Sequence, residues 1–516
     1  MPPRQRLRNG AGFRRWVPDL SLSLSVVTLV YCLTVFDGFR KLFRDSDTGW
    51  HIRTGETILS SRSLPATDPY SFSRAGEPWL DWEWGSDVAM AAAYRAGGLA
   101  GVALLFALTI AACTAVWIRL HWTMSGTFLI ACAMAPPMLS TANLHWLARP
   151  HIFSWLLLLG AVSLAESAPQ RFRLRDLALV FSGSVLWANL HGSFLFAPLI
   201  AALYAAAHFL RPLIWDLDRR EEFRRGRWFL LAAATAIAGT LLNPRGWRLH
   251  EHVIRYLSDS QLLARVGEFQ SFNFHAPGSF QILVALGLAA AGGMLALAQR
   301  KLAHFFLAVI FLSLALRSAR GLPLAALILL PVANGAITQA LASSRGLARG
   351  VERWIAAFLA YSDRLRWLDS GLSGAFLIPA IVLAAALSTN VPAIAAHAGF
   401  PPDQFPVAAA AAVERLPSEA RLLAPDKFGG YLIYRFRGRR KVFFDGRSDF
   451  YGADFMKAYI QLIEVRPGWR DQLDRFHFTH ALLPDNYSLI PALEQIGWRP
   501  IYTDGVATLL DAGKRD

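Results

Sequence analysis

The stretch Arg44-Asp45-Ser46-Asp47-Thr48-Gly49-Trp50-His51-Ile52-Arg53-Thr54-Gly55-Glu56 brings two carboxylates, an imidazole and a guanidinium close together along the chain. On a helix beginning near Ser46, Asp47 and His51 fall one turn apart on one face. A carboxylate backed by an imidazole can take a proton from a hydroxyl acceptor or hold a divalent cation such as Mg or Mn. Asp47 is therefore the candidate base and metal ligand, with Asp45 and His51 beside it and Arg53 as a candidate substrate contact. The same residue types also serve structure, because Asp and Ser are preferred N-caps and Asp suits the positive end of a helix. Spacing alone leaves both roles open.

Further along lie Asp68-Pro-Tyr-Ser-Phe72 and Glu77-Pro-Trp79-Leu-Asp81-Trp82-Glu83-Trp84. Trp and carboxylate together suit sugar recognition, since rings stack on sugar faces and carboxylates accept hydroxyl hydrogens. Trp82 and Glu83 are the candidates here, and ordinary anchoring of Trp at a membrane interface is the other reading. Four polar turns follow: Arg149-Pro150-His151, Trp187-Ala-Asn189-Leu-His191-Gly192, Asn243-Pro244-Arg245-Gly246 and Arg317-Ser-Ala-Arg320-Gly321. Arg149, His151, Asn189, His191, Arg317 and Arg320 sit at the ends of apolar runs, where ionisable groups are costly and point to function. Together they suit an anion such as a lipid-linked phosphate; singly, each Arg could snorkel to the interface. The Asp445-Gly-Arg447-Ser-Asp449 turn reads as a tight Asp-Gly turn with solvated charges.

These residues must be positioned by membrane-spanning helices. The chain of 516 residues is 54% hydrophobic and 17% charged, with a mean hydropathy of +0.33. Its apolar residues run in long stretches that lipid explains and a soluble core does not. About eleven spans are expected, at 20–36, 98–118, 125–141, 151–167, 175–190, 193–210, 228–243, 279–298, 303–317, 321–342 and 373–391. Helices are the expected element because each satisfies its own backbone in lipid. The net charge of +15 is carried by Arg clusters between spans, which topology explains without nucleic acid as a partner. Arg4 to Arg15, Arg171 to Arg175, Arg211 to Arg227, Arg300-Lys301 and Arg345 to Arg366 all fall on one side if the N-terminus is cytoplasmic. The first loop 37–97, the segment 244–278 and the tail then share the outer face. Cys32, Cys113 and Cys132 all lie in apolar segments, so no disulfide framework is implied.

The expected fold is mostly α: a polytopic bundle over 1–395, with a small α/β domain over 396–516. In the tail, 421–425, 430–436, 441–445, 480–483 and 507–511 read as strands, and 453–464 and 487–496 as helices.

The Asp-x-x-x-His-x-Arg pattern at Asp47, His51 and Arg53 resembles the opening motif of GT-C glycosyltransferases, notably the catalytic subunits of oligosaccharyltransferases. The wider chain resembles a group of bacterial membrane proteins sharing Asp-x-Asp-x-x-Trp-His (Asp45 to His51), Thr-Asp-Pro-x-Ser-Phe (Thr67 to Phe72), Glu-Trp (Glu83-Trp84), Trp-Ala-Asn-Leu-His-Gly (Trp187 to Gly192) and Leu-Asn-Pro (Leu242 to Pro244). The GT-C resemblance implies an active site at the outer surface of a bacterial inner membrane. It also implies a polyprenyl-phosphate-linked sugar donor, hexosyl or pentosyl transfer to a glycan, lipid or protein acceptor, and a first-loop acid serving as base or metal ligand. The matching residue is Asp47, with Asp45 second. The tail carries no Trp-Trp-Asp sequence, so the resemblance does not extend to Asn glycosylation. Two other classes stand beside this reading: a transporter or flippase for a lipid-linked or anionic solute, and a non-catalytic envelope-assembly protein. A transporter is expected to show paired Gly/Pro-broken spans in repeated halves, and the sequence has no such pair.

Overall fold

A computed structural model describes residues 14–167 and 173–513. Arg4, Arg6, Arg8 and Arg171 of the basic segments lie outside them. Every expected span meets a helix. In chain order, short turns aside, the membrane region contains α1 (Leu20–Thr34), α2 (Asp47–Ser61), α3 (Trp84–Thr123), α4 (Phe128–Asn143), α5 (His151–Ser167), α6 (Leu174–Leu190) and α7 (Phe196–Ile214). It continues with α8 (Arg219–Thr240), α9 (Trp247–Ser258), α10 (Ser279–Ala298), α11 (Leu302–Arg317), α12 (Gly321–Ser343), α13 (Arg349–Ser370) and α14 (Ile378–Ser388). Four stretches among the described residues are long and apolar enough to cross a membrane: Trp84–Thr123, Gly192–Ile214, Ser279–Ala298 and Gly321–Ser343. Shorter apolar helices pack around them, with α12 the most enclosed. The protein is thus a mostly helical, polytopic membrane bundle with a small C-terminal sheet.

Two helices depart from the sequence reading. The N-terminal part of α3 runs ahead of the expected span and packs along α2; a break at Gly97-Gly98, where Gly98 has φ of 59°, separates it from the spanning part. Only glycine takes that backbone without strain. The basic segment after α12 is a helix rather than a plain loop. In α13, Trp354, Tyr361 and Trp367 are exposed beside Arg349, Arg353, Arg364 and Arg366, the pattern of a helix lying in an interface.

The tail forms a four-stranded sheet in the order β1-β2-β4-β3, made of Leu422–Leu423, His480–Pro484, Ala507–Asp511 and Arg499–Thr503. The β1 and β2 pair is parallel and the others antiparallel. Helices α15 (Asp426–Arg435), α16 (Ser448–Ile463), α17 (Trp469–Phe476) and α18 (Leu489–Glu494) complete it. Residues 430–436, expected as a strand, lie mostly in α15. The run 441–445 pairs only with the first loop, where Phe72 N–H donates to Val442 O at 3.0 Å and Val442 N–H to Tyr70 O at 3.0 Å. The strand Arg499–Thr503 was not expected.

Packing of α15 explains its helicity. It crosses α2 so closely that a Cβ on Gly430 would stand 2.2 Å from Ser46 O, and one on Gly49 2.1 Å from Gly430 O. Only two bare backbones fit there. Arg53 fastens the crossing by donating to Tyr434 O from Nε at 3.0 Å and from a terminal nitrogen at 2.9 Å. Arg447 ties the tail to the first loop, reaching Asp68 at 2.8 Å and Asp445 at 2.7 Å while lying over the Trp79 ring. Apolar residues of the bundle, the first loop and the tail share one core.

Gly430→Ala should therefore destabilise the protein by about 1–3 kcal/mol, the usual range for overpacking, because its new methyl meets backbone. Gly350→Ala, whose Cβ position is open, should leave the melting temperature unchanged. Equal effects of the two changes would argue against the tight crossing.

Candidate active site

Asp47 is the first residue of α2 and 5% exposed. Its N–H donates to Asp45 Oδ1 at 2.8 Å, so Asp45 orders the helix start. The other face of this pair meets Arg149, from the turn before α5. Arg149 donates from one terminal nitrogen to Asp45 Oδ2 at 2.7 Å and to Glu268 Oε1 at 2.9 Å, and from the other to Asp47 Oδ2 at 2.8 Å. Glu268 also takes Arg320. Its loop is held by Ser318 Oγ, which donates to Glu268 O at 2.8 Å, and by Ala319 N–H, which donates to Gln270 O at 2.8 Å. Arg149 and Arg320 thus converge on one carboxylate. Gly446 covers Asp47 so closely that a Cβ there would lie 1.9 Å from its Oδ1.

Burial pushes the Asp47 carboxyl up to about 7, against the pull of Arg149 and with help from Asp45. A base poised near neutral pH balances availability against driving force. For Glu268 burial works in the same direction, but Arg320 and Arg149 outweigh it and hold that carboxyl well below its usual range.

A second layer lies behind. Glu83 sits between two imidazoles, its Oε2 3.7 Å from His51 Nε2 and its Oε1 3.3 Å from His191 Nε2. His51 Nδ1 is hydrogen-bonded to Asp87 Oδ1 at 2.5 Å. Burial raises Glu83 to about 8 and Asp81 to about 7. It lowers His51 far below its usual value and His191 to about 3, with nearby guanidiniums acting in the same direction. Near pH 7 Glu83 therefore mostly keeps its proton and both imidazoles are neutral, while Asp81 stands close to its midpoint.

The candidates from the sequence separate into two groups. Asp45, Asp47, Arg149 and Arg320 converge, and His51, Glu83 and His191 form the layer behind them. Asp47 and His51 keep the one-turn spacing, but Asp47 pairs with a guanidinium and His51 with Asp87. The remaining candidates have other partners. Arg53 holds Tyr434; Trp82 packs edge-on against His252 and Tyr256; His151 Nε2 bonds to His145 O at 2.8 Å. Asn189 accepts from Trp84 Nε1 at 2.9 Å and donates to Val185 O and Leu242 O. Arg317 is exposed. The Asp445–Asp449 turn is not solvated as expected, for Asp445 and Arg447 are almost fully buried. Glu268 was missed; its only signal is an acidic side chain in the polar 244–278 segment.

As arranged, the acidic set does not fit a divalent ion. Such ions take carboxylate oxygens at 2.0–2.6 Å, yet the oxygens of Asp45, Asp47 and Glu268 already surround a guanidinium. Unit charges 4 Å apart interact by about 4 kcal/mol at an effective dielectric of 20, so a dication beside Arg149 would be repelled by roughly 8 kcal/mol. Among the described residues, no group of three or more His, Cys, Asp or Glu is disposed for a metal.

The raised carboxyls set a pH dependence of stability. Asp47, Asp81 and Glu83 keep protons in the folded state that the unfolded chain loses near pH 4. Their contribution is present below that pH and is lost as pH rises through about 7 to 8. The lowered histidines act oppositely, but only below about pH 6.5, where the unfolded chain takes up protons. The apparent melting temperature should therefore fall between about pH 6.5 and 8.5, and Glu83→Gln should reduce that fall. An identical fall in the variant would show that Glu83 does not titrate as described.

No family model and no curated protein matches the sequence. Solved structures do match. The archaeal oligosaccharyltransferase AglB from Archaeoglobus fulgidus, in complex with an inhibitory peptide and a dolichol-phosphate, aligns at a TM-score of 0.56 with 12% identity, over 96% of this chain and 74% of that one. The apo form of the Archaeoglobus fulgidus oligosaccharyltransferase aligns at 0.53 with 12% identity, over 90% and 69%. ArnT from Cupriavidus metallidurans, bound to undecaprenyl phosphate, aligns at 0.47 with 13% identity, over 96% and 98%. At these identities the two oligosaccharyltransferase matches establish shared architecture: the chain has a GT-C-like fold.

Proposed function

We propose that this chain is an integral membrane glycosyltransferase. It moves a sugar from a polyprenyl-phosphate-linked donor to an acceptor at the outer face of a bacterial inner membrane, with its N-terminus cytoplasmic and its tail periplasmic. The observation that carries the reading is Asp47, a buried carboxylate poised near neutral pH beside two convergent guanidiniums. The dolichol-phosphate in the Archaeoglobus fulgidus AglB complex supports a lipid-phosphate donor.

In this mechanism Asp47 takes the proton of an acceptor hydroxyl, and the freed oxygen attacks the anomeric carbon of the sugar. The bond from that carbon to the phosphate oxygen breaks, and the electron pair leaves with the lipid phosphate. Arg149 and Arg320 stabilise that developing charge as their donors pass from Glu268 to the phosphate. Gly446 packs directly on Asp47, where any side chain would collide with the carboxylate. Asp45 positions Asp47 through its backbone and shares Arg149.

Asp47→Asn tests the assignment. Asparagine copies the shape of the protonated carboxyl, which Asp47 already adopts over part of the neutral range, so expression and melting temperature should hold. Transfer should fall by about 100-fold or more, the scale of general-base loss. Asp45→Asn should be milder. Unimpaired donor consumption by the Asp45→Asn, Asp47→Asn double variant would sink the proposal.

A further inference from the structure

We infer that Arg149 is a built-in cation occupying the place of a divalent metal, so that this carboxylate cluster binds no metal ion while the guanidinium stays. Three carboxylates reach one point from two segments far apart in sequence: Asp45 and Asp47 at the start of α2, and Glu268 on the 267–269 turn. Such convergence of acidic oxygens ordinarily calls for a hard cation. Here both terminal nitrogens of Arg149 fill the point, at 2.7–2.9 Å from all three groups.

The guanidinium is not a casual visitor. The residue before Arg149 is held through both of its backbone groups, since Ala148 N–H donates to Leu42 O at 2.8 Å and Thr48 Oγ donates to Ala148 O at 2.9 Å. Pro150 follows directly and leads into α5, so the side chain leaves from a stiff corner. Burial alone would lower its affinity for a proton, but Asp45, Glu268, Asp47 and Glu83 outweigh that and raise it, so Arg149 stays charged. The Arg320 guanidinium on Glu268 takes a further share of the acidic charge. Three carboxylates against two permanent cations leave at most one negative charge, and Asp47 gives that up as it protonates near neutral pH. A dication would find little net charge and no open oxygen shell.

The functional part of this inference, metal-free transfer, rests on the glycosyltransferase reading; the binding part does not. The test reads binding directly. The purified full chain, stripped with chelator, is titrated with Mn2+ up to about 1 mM, the weak end of protein cation sites, while free Mn2+ is followed by its paramagnetic resonance signal and unfolding by melting temperature. The wild type should bind no site-specific Mn2+ and show no thermal shift. Arg149→Ala removes the guanidinium and leaves the three carboxylates facing one another; it should gain Mn2+ binding and a melting temperature that rises with Mn2+. Arg149→Lys keeps a cation and should not gain it. Stoichiometric Mn2+ binding by the wild type that is lost in Asp45→Asn or Asp47→Asn would overturn the inference. So would an Arg149→Ala protein that folds yet stays indifferent to Mn2+. If that variant does not fold, the wild-type titration decides alone. Transfer that persists in chelator extends the inference to catalysis, whereas a protein with no transfer under any condition but no Mn2+ site overturns only the enzyme reading.

Discussion

Ionised carboxylates taken out of water must be paired or must hold a proton, and the seam between the bundle and the tail uses both solutions. Arg149 pairs with all three acids at the front, where Asp45, Asp47 and Glu268 meet. Arg447 neutralises Asp68 and Asp445 on the tail side. Each guanidinium joins segments far apart in sequence, so electrostatic pairing and tertiary assembly are one event. Losing either cation would leave buried acids without a partner, which is usually far costlier than losing a surface pair. The polar seam therefore also specifies how the tail docks.

Close backbone approach makes those pairs reachable. Gly49 against Gly430 lets α15 lie on α2 without side chains between them, and Gly446 lets the next turn descend onto Asp47. The apolar residues around the crossing, from Trp50 and Trp79 to Phe428 and Tyr431, belong to one core. Shape and charge thus depend on each other. A larger residue at the crossing would lift the turn off the acids, and unpaired acids would resist burial there.

Lipid makes part of this architecture plain in the residues themselves. Continuous apolar runs marked every spanning helix, because a lipid-facing helix cannot hide its pattern behind a partner. Arg149 and Arg320 stood out because charged groups at the ends of such runs are costly, and Asp47 because it stands one helical turn from His51. The partner of His51 did not, since Asp87 lies on α3 and meets it only through the packing of α2 on α3. Glu268 gave no local pattern to follow. The run Gly430–Phe436, rich in aromatic and β-branched residues, carries strand propensity that the glycine crossing overrides. Arg447 was read as solvated because its Asp-Gly turn looks ordinary; its burial also draws on Asp68, Trp79 and Tyr70 in another segment.

The layering of charge also bears on how an anion would be received. Behind the cationic pair, Glu83 mostly retains its proton near neutral pH while His51 and His191 stay neutral. A charged second layer would either cancel the field of the two guanidiniums or add to it without direction. An uncharged polar layer does neither, and its hydrogen bonds still hold the groups in place. Glu268 then becomes the one strongly ionised acid shared by Arg149 and Arg320. It bridges the two guanidiniums as a phosphate oxygen could, from a turn that is only half buried. An incoming phosphate would compete with that carboxylate for the same donors, so affinity for the anion is the difference between two similar contacts rather than the whole of one. That difference favours release of such an anion as well as its capture.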